Sequence, residues 1–197
     1  MRSEAPQKEE QGHIEATASE EARCEGTRHI KKKWRPGLWT TNDVPGCPKG
    51  GLLTGTDKND RLYAKDGDDE IHSLGGDDWF IYGGYGDDVI YGGPGDDIPV
   101  GGPGDDVLYG GAGGDELMFG STGEDVIYGG DGSDFPEGGP GEDVLYGGDG
   151  YDTLDGTEDG GQRDKLYCGE GRDYYSADKL DYVDSSCEKK FKLKGMP

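Results

Sequence analysis

Between about residues 55 and 176 a large apolar residue recurs at close to nine-residue intervals: Leu62, Ile71, Phe80, Ile90, Leu108, Leu117, Ile127, Leu145 and Leu154. Each stands two positions after an aspartate, and before the aspartate comes a glycine-rich stretch such as Gly101-Gly102-Pro103-Gly104. A lone apolar position flanked by outward residues and bounded by turn signals predicts a short strand rather than a helix. Units of this length cannot bury one apolar residue alone, so their repetition predicts a stack in which each unit covers the next.

The aspartates fix the phase. They fall at Asp60, Asp69, Asp78, Asp88, Asp97, Asp106, Asp115, Asp125, Asp134, Asp143 and Asp152, with Asp164 and Asp173 as looser members. Two spacings of ten, Asp78 to Asp88 and Asp115 to Asp125, lie 37 residues apart, as do two prolines at the apolar position, Pro99 and Pro136. The segments GDDVIYGGPGDDIPVGGPGDDVLYGG from Gly86 and GEDVIYGGDGSDFPEGGPGEDVLYGG from Gly123 agree even in these irregularities, which marks a tandem duplication of four repeats. Counted from Asp60, the even units carry Tyr91, Tyr109, Tyr128 and Tyr146 after the apolar residue and Val89, Val107, Val126 and Val144 before it, predicting an outward Tyr/Val ribbon on one sheet. The odd units hold the prolines and the insertions, so the opposite sheet is expected to be less regular.

The flanks read differently. Residues 1–22 are polar without periodicity and read as a disordered leader; 23–52 as an N-terminal cap holding Cys24 and Cys47; 53–176 as the repeat; and 177–197 as a C-terminal cap with a basic tail. The four cysteines sit in two pairs on either side of the central stretch 65–163, neither with CxxC spacing, and the favoured pairing is 24 with 47 and 168 with 187, in an oxidising compartment. No apolar signal-type segment is read at the start, and no stretch approaches a membrane span.

Charge narrows the partners. The formal net charge is −23, and no Lys or Arg occurs between Lys65 and Arg163, so nucleic acid is a poor partner for the repeat. With 40 glycines and 30% hydrophobic residues a thick core is not expected. Composition alone leaves a disordered acidic spacer or a binder of hard cations open, and the strict phase favours the second.

The units GGPGDDVLY (101–109), GGPGEDVLY (138–146), GGYGDDVIY (83–91) and GGDGYDTLD (147–155) resemble the repeat-in-toxin (RTX) haemolysin-type calcium-binding nonapeptide, GGxGxDxUx with U a large apolar residue. The resemblance implies an all-β fold: a right-handed parallel β-roll, or β-helix solenoid, of calcium-binding repeats with small capped ends. It implies two repeats per coil, hence about six coils for thirteen units. It also implies multiple calcium ions between the turns of adjacent coils, held by turn carbonyls and by Asp69, Asp78, Asp88, Asp97, Asp106, Asp115, Asp125, Asp134, Asp143 and Asp152. The chemistry agrees. Glycines let carbonyls approach an ion, and carboxylates are hard ligands suited to Ca²⁺, whereas Mg²⁺ prefers a small octahedral shell and Zn²⁺ would lack soft ligands. Stacked aspartates ~5 Å apart repel by ~3 kcal/mol per pair at an effective dielectric of ~20, and a divalent cation reverses that sign.

The function expected is that of a secreted, non-enzymatic module that folds on binding Ca²⁺ and serves a structural or surface-interaction role. One alternative is an adhesion or glycan-binding protein using the Tyr/Val face, with a cell-surface polymer or protein as partner; another is the acidic spacer. His13, His29 and His72 are scattered, and no HExxH, GxSxG or paired-carboxylate motif supports catalysis. The basic segment His29-Ile-Lys-Lys-Lys-Trp-Arg and the tail lysines Lys189, Lys190, Lys192 and Lys194 read as solvated charge.

Overall fold

The computed structural model describes residues 42–45, 50–157 and 161–190. The leader, Cys24 and Cys47, the His29 basic segment and the end of the tail lie outside them. Among the described residues there is no helix, and the strands run in order as β1 (Asn42–Pro45), β2 (Leu52–Thr56), β3 (Asp60–Asp66), β4 (Glu70–Leu74), β5 (Phe80–Tyr85), β6 (Val89–Pro94), β7 (Pro99–Pro103), β8 (Val107–Gly113) and β9 (Met118–Thr122). They continue as β10 (Val126–Gly132), β11 (Pro136–Glu137), β12 (Val144–Gly150), β13 (Thr153–Gly156), β14 (Lys165–Gly171), β15 (Tyr174–Ala177), β16 (Tyr182–Val183) and β17 (Lys189–Lys190).

Odd-numbered strands form a nine-stranded sheet and even-numbered strands an eight-stranded one, so the chain alternates between two faces and every strand pairs with the one two places on. All pairings are parallel. The fold is a parallel β-solenoid of about seven turns. Each of the thirteen strands β3–β15 begins at one of the thirteen aspartates or within three residues of it. The stack exceeds the six coils expected because β1–β2 and β16–β17 pair onto its two ends.

The core is a file of single side chains between the sheets. Leu62, Ile71, Ile81, Ile90, Leu108, Met118, Ile127, Leu145, Leu154 and Leu166 are all fully buried. Each such side chain contributes ~1.5–3 kcal/mol, and no second layer adds to it. Phe80 and Leu117, expected in this file, are not in it: Phe80 is half-buried and Leu117 is 42% exposed, and Ile81 and Met118 take their places. The cause is a pair of β-bulges. Ile98 donates its N–H to the Asp78 carbonyl (3.0 Å) and accepts from the Ile81 N–H (3.0 Å), so Trp79 and Phe80 together stand opposite one residue. Phe135 does the same between Asp115 and Met118, both at 3.0 Å, opposite Glu116 and Leu117. The ten-residue spacings place their extra residue directly after the aspartate, which moves the inward position by one.

Pro99 and Pro136 fill the inward position of the coils facing the bulges and are buried. Lacking an N–H, they shorten the ladder: β11 has two residues and pairs through one of them with β13, whereas β10 and β12 share six paired positions. The nine-stranded sheet is therefore the less regular one, as expected. At the C-terminal end Cys168 and Cys187 form a disulfide between β14 and the segment after β16, the expected pairing.

On the outer face of the eight-stranded sheet the tyrosines form a column. Tyr91, Tyr109, Tyr128, Tyr146 and Tyr167 stack with centroids 4.7–4.9 Å apart and planes within 11°. His72 extends it at one end (4.6 Å), and Tyr182 leans on the other (5.7 Å, 51°).

Candidate metal centre

Each coil of the solenoid delivers two aspartates, one to each interior edge between the sheets, and the parallel register stacks these in two columns, one along each edge. The first holds Asp60, Asp78, Asp97, Asp115, Asp134, Asp152 and Asp173; the second Asp69, Asp88, Asp106, Asp125, Asp143 and Asp164; all are at most 3% exposed. Within a column each carboxylate is tied to the coil before it. Asp88 Oδ1 accepts the Asp69 N–H (2.7 Å), Asp106 Oδ1 the Asp88 N–H (2.7 Å), Asp97 Oδ1 the Asp78 N–H (2.8 Å) and Asp115 Oδ1 the Asp97 N–H (2.8 Å), and the pattern runs on to Asp173 Oδ1, which accepts from Asp152 (3.0 Å).

The second oxygen is different. Oδ2 of Asp69, Asp88, Asp97, Asp106, Asp115, Asp125, Asp134, Asp152 and Asp173 is buried without a hydrogen-bond partner. A buried carboxylate oxygen left unpaired is costly, and a row of them is a site awaiting a positive charge or a proton. Burial accordingly raises these acids from the ordinary value of 3.8: Asp78 and Asp88 to about 6, Asp69, Asp97, Asp115, Asp125 and Asp152 to about 7, and Asp106 to about 8. Asp134 is raised for the same reason. Desolvation is the first cause throughout; backbone hydrogen bonds oppose it, joined at Asp78 by the Ser73 hydroxyl, and neighbouring carboxylates add to it.

Facing Oδ2 of Asp88, Asp97, Asp106, Asp115, Asp125, Asp134 and Asp152 is a backbone carbonyl of the following coil, and a glycine keeps the space between them open; before Asp78 the glycine's place is taken by Ser73, whose hydroxyl donates to the Gly92 carbonyl. A Cβ on Gly92 would lie 2.8 Å from Asp97 Oδ2 and 2.5 Å from the Gly110 carbonyl oxygen. On the other edge a Cβ on Gly101 would strike Asp106 Oδ2 and lie 2.8 Å from the Gly120 carbonyl oxygen. The same pair of oxygens recurs at Gly83 with Asp88 and the Gly101 carbonyl, and at Gly120 with Asp125 and the Gly138 carbonyl. This donor set is all hard oxygen, which suits Ca²⁺ and offers no nitrogen or sulfur to a softer metal. No group of three His, Cys, Asp or Glu side chains converges among the described residues, so any ion here would depend on backbone carbonyls as much as on carboxylates.

All ten aspartates read from the sequence as ligands lie in the two columns, and Asp60, Asp164 and Asp173 join them. A second, exposed row of acids went unread. In the first half of the stack the residue before the column aspartate caps the following coil, in the opposite sense to the inner row: Asp68 Oδ1 accepts the Asp87 N–H (3.1 Å), Asp87 Oδ1 the Asp105 N–H (3.0 Å) and Asp105 Oδ1 the Glu124 N–H (2.8 Å). The Asp-Asp doublets in the repeat were the available signal.

The model of the RTX calcium-binding nonapeptide repeat matches residues 54–84, 80–98, 100–118, 113–135 and 137–175, more than half of the chain. The chain belongs to this family. Its RTX repeats coincide with the aspartate-headed strands, and calcium binding is what the family's description assigns to such units. No curated protein matches the chain.

Proposed function

We propose that this RTX chain is a secreted, non-enzymatic module in which Ca²⁺ binding drives folding of the solenoid, and that the folded rod serves a structural or surface-interaction role. The row of buried Oδ2 atoms without partners, those of Asp88, Asp97, Asp106, Asp115, Asp125, Asp134 and Asp152 lying opposite a carbonyl of the next coil, carries this reading. Asp69, Asp78, Asp88, Asp97, Asp106, Asp115, Asp125, Asp134, Asp143 and Asp152 are the proposed ligands. A cation between coils would neutralise them and tie coil to coil, so binding energy becomes folding energy. The Cys168–Cys187 disulfide fits an oxidising, extracellular setting. The Tyr/Val face supports glycan stacking poorly, because its ring faces are spent on one another.

A titration of chelator-treated protein with Ca²⁺, followed by far-UV circular dichroism with Mg²⁺ as control, tests the proposal. A cooperative gain of strand signal with Ca²⁺ alone is expected. Strand signal that persists in chelator, or that never develops, would sink it.

A further inference from the structure

The two bulges of the nine-stranded sheet are neighbours but one. β5 and β9 carry them, and β7, which lies between, has none. The extra residues Trp79 and Glu116 therefore stand as two walls around an unbulged coil, and Ile98 of that coil lies between them. Together with Asp77, Asp96 and the buried Asp97 they line a cavity of about 290 Å³. Bulges of this kind re-aim side chains and often sit at functional sites. The arrangement occurs once, because β13, the next odd strand after β11, carries no insertion: its buried Leu154 follows Asp152 at the ordinary distance.

The walls are chemically specific. Trp79 is 63% exposed, an unusual placement for an indole beside a buried file of aliphatic residues. Asp77, Asp96 and Glu116 line the same cavity, and none has a cationic partner among the described residues. Asp77 and Asp96 each use one oxygen to accept a backbone N–H, from Asp96 (3.3 Å) and Gly114 (2.8 Å), which fixes both carboxylates at the cavity rim. A hydrated metal ion gains nothing from an indole face. An organic cation gains from both the face and the carboxylates.

We propose that this cleft binds one alkylammonium group per chain, seated against the Trp79 ring and neutralised by Asp77, Asp96 and Glu116. The group belongs either to a free amine or to a lysine side chain of a partner. The site borders the first aspartate column at Asp97 but draws on Trp79, Asp77, Asp96 and Glu116, which lie outside it, and its volume, at the lower edge of small-molecule sites, matches a single head group rather than a polymer.

The test uses the full chain in saturating Ca²⁺, with the indole N–H signals of its three tryptophans followed by NMR during titration with tetramethylammonium chloride and, in a second arm, with a short lysine peptide. The expected result is a saturable 1:1 shift of one indole signal, with dissociation constants in the millimolar range or tighter. Trp79→Ala is expected to weaken binding by about tenfold and Glu116→Gln by about threefold. Both variants should keep the wild-type calcium transition by circular dichroism, since both side chains lie outside the core, and that transition reports separately on the calcium reading. Saturation with the peptide alone assigns the ammonium to a protein partner; saturation with both probes assigns it to free amines as well. The proposal is overturned if no indole signal moves, if equal concentrations of NaCl move it as far, or if Trp79→Ala binds as tightly as the wild type.

Discussion

Protons and calcium should act on the aspartate columns as substitutes for one another, and this can be measured. In the folded chain Asp97 is raised from 3.8 to about 7 by its burial, so the neutral form is the one that the calcium-free fold prefers. The folded-state value lies above the unfolded one. The contribution to stability is therefore complete below pH ~4 and is lost as pH rises through the folded values, which run from about 6 at Asp88 to about 8 at Asp106. For Asp97 alone this amounts to ~4 kcal/mol between the two limits, comparable with burying one or two core leucines. Calcium-free protein should thus gain strand signal as pH falls from about 8 to 5, while the Ca²⁺ concentration needed for folding should rise over the same interval, because protons then compete for Oδ2. Far-UV circular dichroism in a metal-free buffer series, repeated at fixed Ca²⁺ levels, reads both slopes. Relief of the overall charge of −23 would also favour folding in acid, so variants separate the two causes. Asp97→Asn and Asp115→Asn should raise the calcium-free pH midpoint, and Asp87→Asn and Asp105→Asn, in the exposed row, should shift it far less. A calcium-free signal that stays flat or falls on acidification, or equal shifts from inner and outer variants, would refute the reasoning.

Four further outcomes are expected. Leu108→Ala, in the fully buried file, should cost ~2–4 kcal/mol in thermal or denaturant unfolding with Ca²⁺ present, whereas Leu117→Ala, turned outward by its bulge, should cost less than ~0.5 kcal/mol. Gly104→Ala should destabilise by ~2 kcal/mol or more, seen as a lowered Tm, because Gly104 has φ 146° and the Gly86 carbonyl occupies the space of a Cβ. Tyr128→Ala should cost ~1–3 kcal/mol by removing two ring stacks and Tyr128→Phe almost nothing, measured by denaturant unfolding. Replacing Cys168 and Cys187 together by Ser opens a link across 19 residues and should lower stability by ~2–4 kcal/mol, first visible as early loss of hydrogen-exchange protection in β14 and β16.

The repeat was readable because one physical rule is applied thirteen times: a turn of glycines, one acid, one inward apolar residue. That rule placed the aspartates, the two sheets and the tyrosine face. It failed at Phe80 and Leu117, where counting from the aspartate assumes an unbroken ladder, and a bulge changes which neighbour faces inward without changing composition. His72 and Tyr167 were missed as members of the aromatic column because that column is a property of register between coils, and His72 in particular lies in a unit whose other residues, Glu70 and Ser73, do not resemble its neighbours. The outer acid row was hidden for a different reason. An exposed Asp-Asp doublet reads as solubility, and only the stacked backbone shows its first member accepting a hydrogen bond from the next coil.

The duplication of 37 residues spans two full coils, one of 18 residues and one of 19, and so carries Asp78 onto Asp115 and Asp88 onto Asp125 within the same columns. Growth by this quantum is silent to the fold: it lengthens the rod, repeats its bulges on the same side and leaves every face with its own chemistry. An insertion of three repeats, by contrast, would exchange the two faces beyond it, setting prolines against the tyrosine column. The solenoid therefore admits changes of length only in even steps, and its ancestry is written in the one sheet that tolerates irregularity.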